Sequence, residues 1–213
     1  MILAGSFDLE QRVAALDRLP RLEGDEFTAN SLVFCRDPLL IMLGGNGANS
    51  AYVLGRLGAS AALCSAMGRD TLGRIVDGWL SSVNVDTTCL VRSLTEATPT
   101  TTMLLDARAN RLSFHHAGPT FTFTPAALRE AVLRQAGTVL LTGYPLLRSW
   151  RPGGVRDVLE TAHARGLTTA LDIGPAIDPP ARLDELRPLL PHLDYLFCNT
   201  YELTVCTDTQ EWN

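Results

Sequence analysis

Gly44, Gly45 and Gly47, followed by Asn49, are the residues whose types and spacing best fit a ligand site in this chain. Glycine lets the backbone turn tightly and approach a ligand closely. The Asn49 amide adds two donors and an acceptor. That combination suits a ligand dense in hydroxyl groups. Two other readings stand beside it on local grounds. One is a plain glycine-rich turn between a strand and a helix. The other is a dinucleotide fingerprint, because Gly45 and Gly47 have G-x-G spacing, which would make the chain an NAD-binding Rossmann oxidoreductase. Against the fingerprint, Ser50 stands where a third glycine belongs, and the glycines do not follow the first strand. Asp70, which would have to hold the ribose, is better placed as a helix cap. Asp172, at the carboxyl end of a strand, has a position from which α/β proteins contact ligands, and a capping or turn role fits it equally. His115 and His116 read as alternate faces of one strand. Asp8 and Glu10, taken by themselves, read as surface charges after a strand.

The elements that must position these residues follow from hydrophobic periodicity. From about Leu39 onward, short apolar runs alternate with amphipathic stretches, which predicts βαβ units and a mostly parallel sheet. PLLIML is a strand, GGNGAN a turn, SAYVLGRLG a helix closed by Gly58, and SAALCSAM the next strand. Asp70 caps a helix over TLGRIVDGWLSS, with Leu72, Ile75, Val76 and Trp79 or Leu80 on one face. Thr124 and Pro125 start another, with Leu128, Val132 and Leu133 as its stripe and an end near Gly137. The strand TVLLTGY comes next, then a helix with Val155, Val158, Leu159 and Ala162 inward and Gly166 at its end, then the strand LTTALDIG. A final unit ends in YLFC. Two stretches break the rhythm, Phe27 to Phe34 and Thr100 to Phe114. The second predicts two strands around a turn at Ala109 and Asn110, as part of a separate small sheet. Thr207 with Gln210, or Asp208 with Glu211, has capping-box spacing, so the chain looks cut where a helix begins.

Composition narrows the function classes. The 213 residues are 46% hydrophobic and 19% charged, enough for one sizeable core and too apolar for disorder over most of the length. Lys and Arg number 18 against 23 for Asp and Glu, a net charge of −5, and no basic block tracks a phosphate backbone, so nucleic acid is not an expected partner. No apolar run approaches the roughly 18 residues of a membrane span, and the start MILAGSFDLE has no basic flank. A cytoplasmic location is expected, without a membrane partner. Cys35, Cys64, Cys89, Cys198 and Cys206 show no C-x-x-C or metal-like spacing, which suits reduced thiols without a catalytic role.

The segment from Leu43 to Gly73 resembles the first signature of the PfkB-type, ribokinase-like carbohydrate kinases: GGxxxN, a helix ending RLGA, then GxDxxG. AGSFDLE resembles the family's first strand and turn, with Asp8 and Glu10 at the polar pair that contacts sugar hydroxyls, although the family usually has Asp at the second place. CNTYE resembles the NxxE motif. The resemblance implies an α/β fold, a doubly wound, mostly parallel sheet with a small β-sheet lid, as one incomplete domain over residues 1–213 with lid segments at about 9–42 and 98–117. It implies that Asp8, Glu10, Gly44, Gly45 and Asn49 bind a sugar, with Asn46 at a residue that varies with substrate. It implies ATP and Mg²⁺ as cofactors, with Asn199 and Glu202 organising water-bound magnesium and phosphates, and a homodimer through the lid as in several relatives. The activity implied is ATP-dependent phosphorylation of a sugar hydroxyl. The family's second signature, DTxGAGD, carries the catalytic base and the anion hole, and nothing here matches it. The resemblance therefore covers the N-terminal two thirds of the family's fold and assigns no catalytic residue. The chain is expected to be a fragment inactive alone, the alternative being a non-catalytic sugar-binding or interaction remnant. Acidic Asp8 and Glu10 favour a neutral sugar over an anionic one, because like charges repel in a partly buried pocket.

Overall fold

The computed structural model describes residues 1–209 except 7, 17–18, 20–21, 24–25, 28–36, 176 and 178. Its core is a six-stranded parallel sheet of β1 (Ile2–Ala4), β6 (Ala62–Gly68), β7 (Leu90–Ser93), β10 (Thr138–Leu141), β11 (Thr168–Asp172) and β12 (Tyr195–Phe197). The strands lie in the order β12-β11-β10-β1-β6-β7. A separate four-stranded mixed sheet holds β2 (Asp8–Leu16), β5 (Leu40–Gly44), β8 (Thr100–Asp106) and β9 (Arg111–His116), in the order β5-β2-β8-β9. The two-residue strands β3 (Leu22–Glu23) and β4 (Glu26–Phe27) pair with each other.

Both faces of the parallel sheet are covered at its centre, so the strands there are apolar at successive positions rather than at alternate ones, whereas Tyr195, Leu196 and Phe197 of the edge strand β12 are exposed. Ile2 and Ala4 point into one hydrophobic cluster and Leu3 into the other. The helices α1 (Asn46–Arg56) and α2 (Thr71–Ser81) cover the Leu3 side with Ala48, Ala51, Val76 and Leu80. The opposite side is packed by α4 (Gly153–Ala164), whose Val155, Val158, Leu159 and Ala162 are all buried, and by Trp150. Asp70 caps α2 through a 2.8 Å bond from the Gly73 amide. Ile75 is exposed, so the inward face of α2 is narrower than its apolar spacing suggests.

Four elements depart from the sequence-based expectations. PLLIML is a strand, but it pairs antiparallel with β2 in the mixed sheet and takes no part in the parallel one. Helix α1 starts at Asn46, within the expected turn. The helix expected after Thr124 is broken into a 3₁₀ turn, Pro125–Ala127, and the single turn α3 (Glu130–Leu133). The break falls where Leu128 and Arg129 are extended and the Arg129 amide donates to Cys89 Sγ rather than along a helix. Between β11 and β12 lies the one-turn α5 (Leu183–Leu186), and after β12 comes α6 (Thr200–Thr207), which Asp208 closes in the left-handed region at φ 56°. Thr207 and Asp208 thus end a helix rather than begin one. Gln210 and Glu211, and residues 28–34 of the irregular stretch, lie outside the described residues. The hairpin β8–β9 turns at Ala109 and Asn110, where the Asp106 carboxylate accepts from the Arg108 and Asn110 amides and from the Asn110 side chain. Among the described residues no helix is long and apolar enough to cross a membrane.

Candidate functional site

The strand order reverses between β1 and β10. After β1 the chain builds the sheet outward through β6 and β7, then returns to β10 on the other flank of β1. Crevices at the carboxyl ends of strands beside such a reversal are where open α/β sheets take ligands. Here the crevice is bounded by Ser6 after β1, Gly143 after β10 and Asp172 at the end of β11. Gly45, at φ 81° and ψ 132°, turns the chain from β5 into α1, a conformation that disfavours any side chain. The helix start is then docked on Ser6. Its hydroxyl accepts the Asn46 amide at 3.0 Å, and its carbonyl accepts the Gly47 and Ala48 amides at 3.1 and 3.3 Å.

These bonds place Asn46 over the crevice. Its side-chain nitrogen donates to Asp172 Oδ2 at 3.1 Å, and the same oxygen accepts the Gly143 amide at 3.2 Å. They also remove the dinucleotide reading of Gly45 and Gly47. The preceding strand belongs to the mixed sheet, and the first free amides of α1, which would hold a pyrophosphate, are satisfied by Ser6.

Asp8 faces the crevice from the mixed sheet. It is buried, its Oδ2 accepts the Thr101 hydroxyl, and Thr101 Oγ1 lies 2.9 Å from His115 Nδ1. With the hydroxyl proton committed to Asp8, His115 donates through Nδ1, so β9, β8 and β2 are joined in one polar relay. Asp8 Oδ1 is buried with no hydrogen-bond partner among the described residues. Burial pushes the Asp8 carboxyl above its ordinary value, with the Thr101 bond and nearby His115 pulling the other way. Gly44 lies directly opposite in the antiparallel register, and a methyl group there would overlap Asp8 Oδ1.

Between these walls is a cavity of about 270 Å³. Ser6, Asp8, Gly45, Asn46, His115 and Thr120 give it a polar side, and Leu146, Pro175 and Ile177 an apolar one. Thr120 Oγ1, like Asp8 Oδ1, is a buried polar atom without a partner among the described residues. Buried groups left in this state call for a ligand or water to complete them.

Of the residues singled out from the sequence, Asp8, Gly44, Gly45 and Asn46 converge here. Glu10 and Asn49 do not line the cavity. Glu10 lies two positions along β2 and pairs with Arg12 at 3.7 Å, its carboxyl raised by burial and then by Asp8. Asn49 is exposed on α1, because the helix begins three residues before it and carries it outward. Asp172 joins the site through Asn46. His115 lines the cavity, whereas His116 does not. Ser6, Thr101, Thr120 and the apolar wall were not legible in advance. The only signal for them was Ser6 within AGSFDLE.

Asn199 and Glu202 stand apart at the start of α6. The Asn199 side chain accepts the Glu202 amide at 2.8 Å, and the Glu202 carboxylate accepts the Asn199 amide at 2.9 Å, a complete capping box. The spacing of NxxE thus has a local structural reason. Among the described residues no three His, Cys, Asp or Glu side chains are placed to hold a metal.

The family model for pfkB carbohydrate kinases matches residues 41–213. The chain belongs to the PfkB family of carbohydrate kinases. It is 30% identical over 161 residues to a nucleoside kinase of Methanothermobacter thermautotrophicus, covering 75% of this chain and 50% of that protein. Among solved structures, Arabidopsis thaliana ribokinase complexed with ribose and ATP superposes with a TM-score of 0.75 at 23% identity, over 97% of this chain and 62% of that one. A nucleoside kinase of Methanocaldococcus jannaschii, itself described as an archaeal ribokinase-family member, gives 0.70 at 17% identity, over 97% and 63%. The PfkB chain described here thus spans about half the length of its curated relative and under two thirds of these two solved neighbours, and it has the ribokinase-like α/β fold.

Proposed function

We propose that this chain forms the acceptor-binding part of an ATP-dependent kinase that phosphorylates a hydroxyl of a neutral sugar or nucleoside. The observation that supports this most directly is the cavity itself, sized for a small polyol and lined on its polar side by Ser6, Asp8, Asn46, His115 and Thr120. Asp8, fixed by Thr101 and His115, accepts hydrogen bonds from acceptor hydroxyls. Asn46, held by Asp172, orients the ligand from the opposite side. Leu146, Pro175 and Ile177 exclude water from one face, and the mixed sheet serves as the lid. Fixing the acceptor in this way lowers the entropic part of the barrier, the main protein contribution to phosphoryl transfer besides charge stabilisation. Asp8 disfavours an acceptor that already carries a negative charge.

ATP supplies the phosphoryl group when bound. Glu202 Oε1 takes no part in the capping box and would accept from the waters of a magnesium ion held chiefly by phosphates, while the free Asn199 side-chain N–H groups would donate to a phosphate oxygen. No residue of the chain is assigned as the base that takes the acceptor proton. The chain alone therefore binds acceptor without turnover.

Calorimetric titration with ribose, fructose and adenosine tests this, beside a phosphorylation assay with Mg-ATP. Saturable binding of at least one neutral acceptor, lost on Asp8→Asn, is the expected result. Failure of all three to bind at about 10 mM, or tighter binding of fructose 6-phosphate than of fructose, would sink the proposal.

A further inference from the structure

A second cavity, of about 370 Å³, lies at the outer edge of the parallel sheet, between β7 and the 3₁₀ turn that interrupts the chain before α3. It shares no lining residue with the acceptor cavity. Arg69, Arg92 and Arg129 line it together with Thr88, and no acidic side chain does.

The state of the three guanidinium groups matters more than their number. Arg92 is committed: it donates to Asp77 at 2.8 Å, to the Thr87 hydroxyl at 3.2 Å and to the Leu90 carbonyl at 3.2 Å. Arg69 and Arg129 make no side-chain hydrogen bond or ion pair among the described residues. Their acidic neighbours in the sequence are engaged elsewhere. Asp70 accepts from the Gly73 and Thr98 amides and from the Thr98 hydroxyl. Glu130 is held by both terminal nitrogens of Arg165, at 2.8 and 3.2 Å, which keeps its carboxyl below the ordinary value. Arg69 and Arg129, both exposed, thus line the cavity without a side-chain partner among the described residues, beside Leu90, Val91, Ala126 and Ala127.

We propose that this cavity is a binding site for a small phosphate monoester, distinct from the acceptor cavity. Guanidinium forks match phosphate and carboxylate oxygens two at a time, and two such cations together favour the double charge of a phosphate monoester over a single carboxylate or a chloride ion. The Thr88 hydroxyl adds a donor. The apolar strip of β7 and the turn takes the organic part of the ester. Arg69 lies between β6 and Asp70, and Asp70 is bonded to Thr98 just ahead of lid strand β8.

The test is calorimetric titration of the chain with glycerol 3-phosphate, with glycerol and inorganic phosphate alongside, in wild type, Asp8→Asn, Arg156→Ala and the double variant Arg69→Ala/Arg129→Ala. Circular dichroism of each variant establishes that it is folded. The expected result is saturable binding of the ester and weaker binding of phosphate, with none of glycerol. The double variant should weaken the ester by about tenfold or more. Arg156→Ala, which removes an arginine of α4 that pairs with Asp157 and does not line the cavity, and Asp8→Asn should leave it unchanged. Absence of saturable binding, an unchanged affinity in the double variant, or an equal loss with Arg156→Ala would overturn the assignment. So would displacement of the ester by a short single-stranded oligonucleotide whose own binding needs Arg69 and Arg129, since the ligand would then be a polynucleotide. Loss with Asp8→Asn would move the ester into the acceptor cavity. Because the two cavities share no residue, neutral-acceptor binding by the double variant reports on the acceptor site separately.

Discussion

The wall around Asp8 and the start of α6 both present acidic groups beside amides, yet they are opposite kinds of surface. At Asp8 the carboxylate is buried and one oxygen has no partner among the described residues. At α6 the Asn199 and Glu202 side chains complete each other's backbone in an exposed capping box. A buried group left incomplete costs stability on the order of 1–3 kcal/mol, so its presence points to something outside the chain that completes it. An exposed pair that already caps its own helix has a structural reason to be there, so any ligand role rests on the atoms the cap leaves over. The same family resemblance assigned roles to both, but the physical support for the two assignments differs.

Three substitutions sharpen or break this contrast. Gly44→Val has the largest expected effect, because its side chain overlaps Asp8 Oδ1 and crowds Glu10 Cγ. It should cost ~1–3 kcal/mol of stability and abolish acceptor binding, as read by thermal melting and titration with ribose or adenosine. Asp8→Asn should weaken acceptor binding by ~1.5–3 kcal/mol, the range for a hydrogen bond to a charged group, while moving stability the other way. Burial raises the folded-state Asp8 pKa above its ordinary value of 3.8. The folded chain therefore holds this proton more tightly than the unfolded one. The associated stability is present below pH 3.8 and is lost as pH rises through the raised value. Asparagine stays neutral, so the variant should melt higher than wild type near pH 7, with the gap closing towards pH 4. A wild type at least as stable at neutral pH would remove the burial argument. Asn199→Ala has the smallest effect, ~1 kcal/mol of helix capping, seen as faster amide exchange in α6 with acceptor affinity unchanged. An equal loss of acceptor affinity there would erase the distinction between the two regions.

Much of this was legible in residues whose neighbours are close in sequence. Asp70 and Gly73, the inward stripe of α4, and the hairpin at Ala109 each depend on contacts a few positions apart. The parallel strands were legible too, because burial on both faces leaves continuous apolar runs. What could not be read was long-range. PLLIML is as apolar as a core strand, and only its pairing with β2 places it in the mixed sheet. The break before α3 depends on Cys89, 40 positions away from Arg129. Thr101 and Thr120 are ordinary threonines until the fold sets them against a cavity. Glu10 shares a face of β2 with Asp8 but lies one step beyond the cavity, and the early start of α1 carries Asn49 outward.

The connection between the two sheets has a mechanical consequence. β1 ends at Ala4 in the parallel sheet and β2 begins at Asp8 in the mixed one, so only residues 5–7 join them. The Gly5 carbonyl is held by the Ser65 hydroxyl at 2.7 Å and Ser6 anchors α1, which ties this short span to the core. Asp8 is the first residue beyond the anchor and rides on the mixed sheet, whereas Asn46 and Asp172 are fixed to the core. Any tilt of one sheet against the other therefore widens or narrows the gap between the carboxylate and the opposing amide. Under the proposed function, the angle between the sheets would work as a caliper on the ligand that bridges this gap.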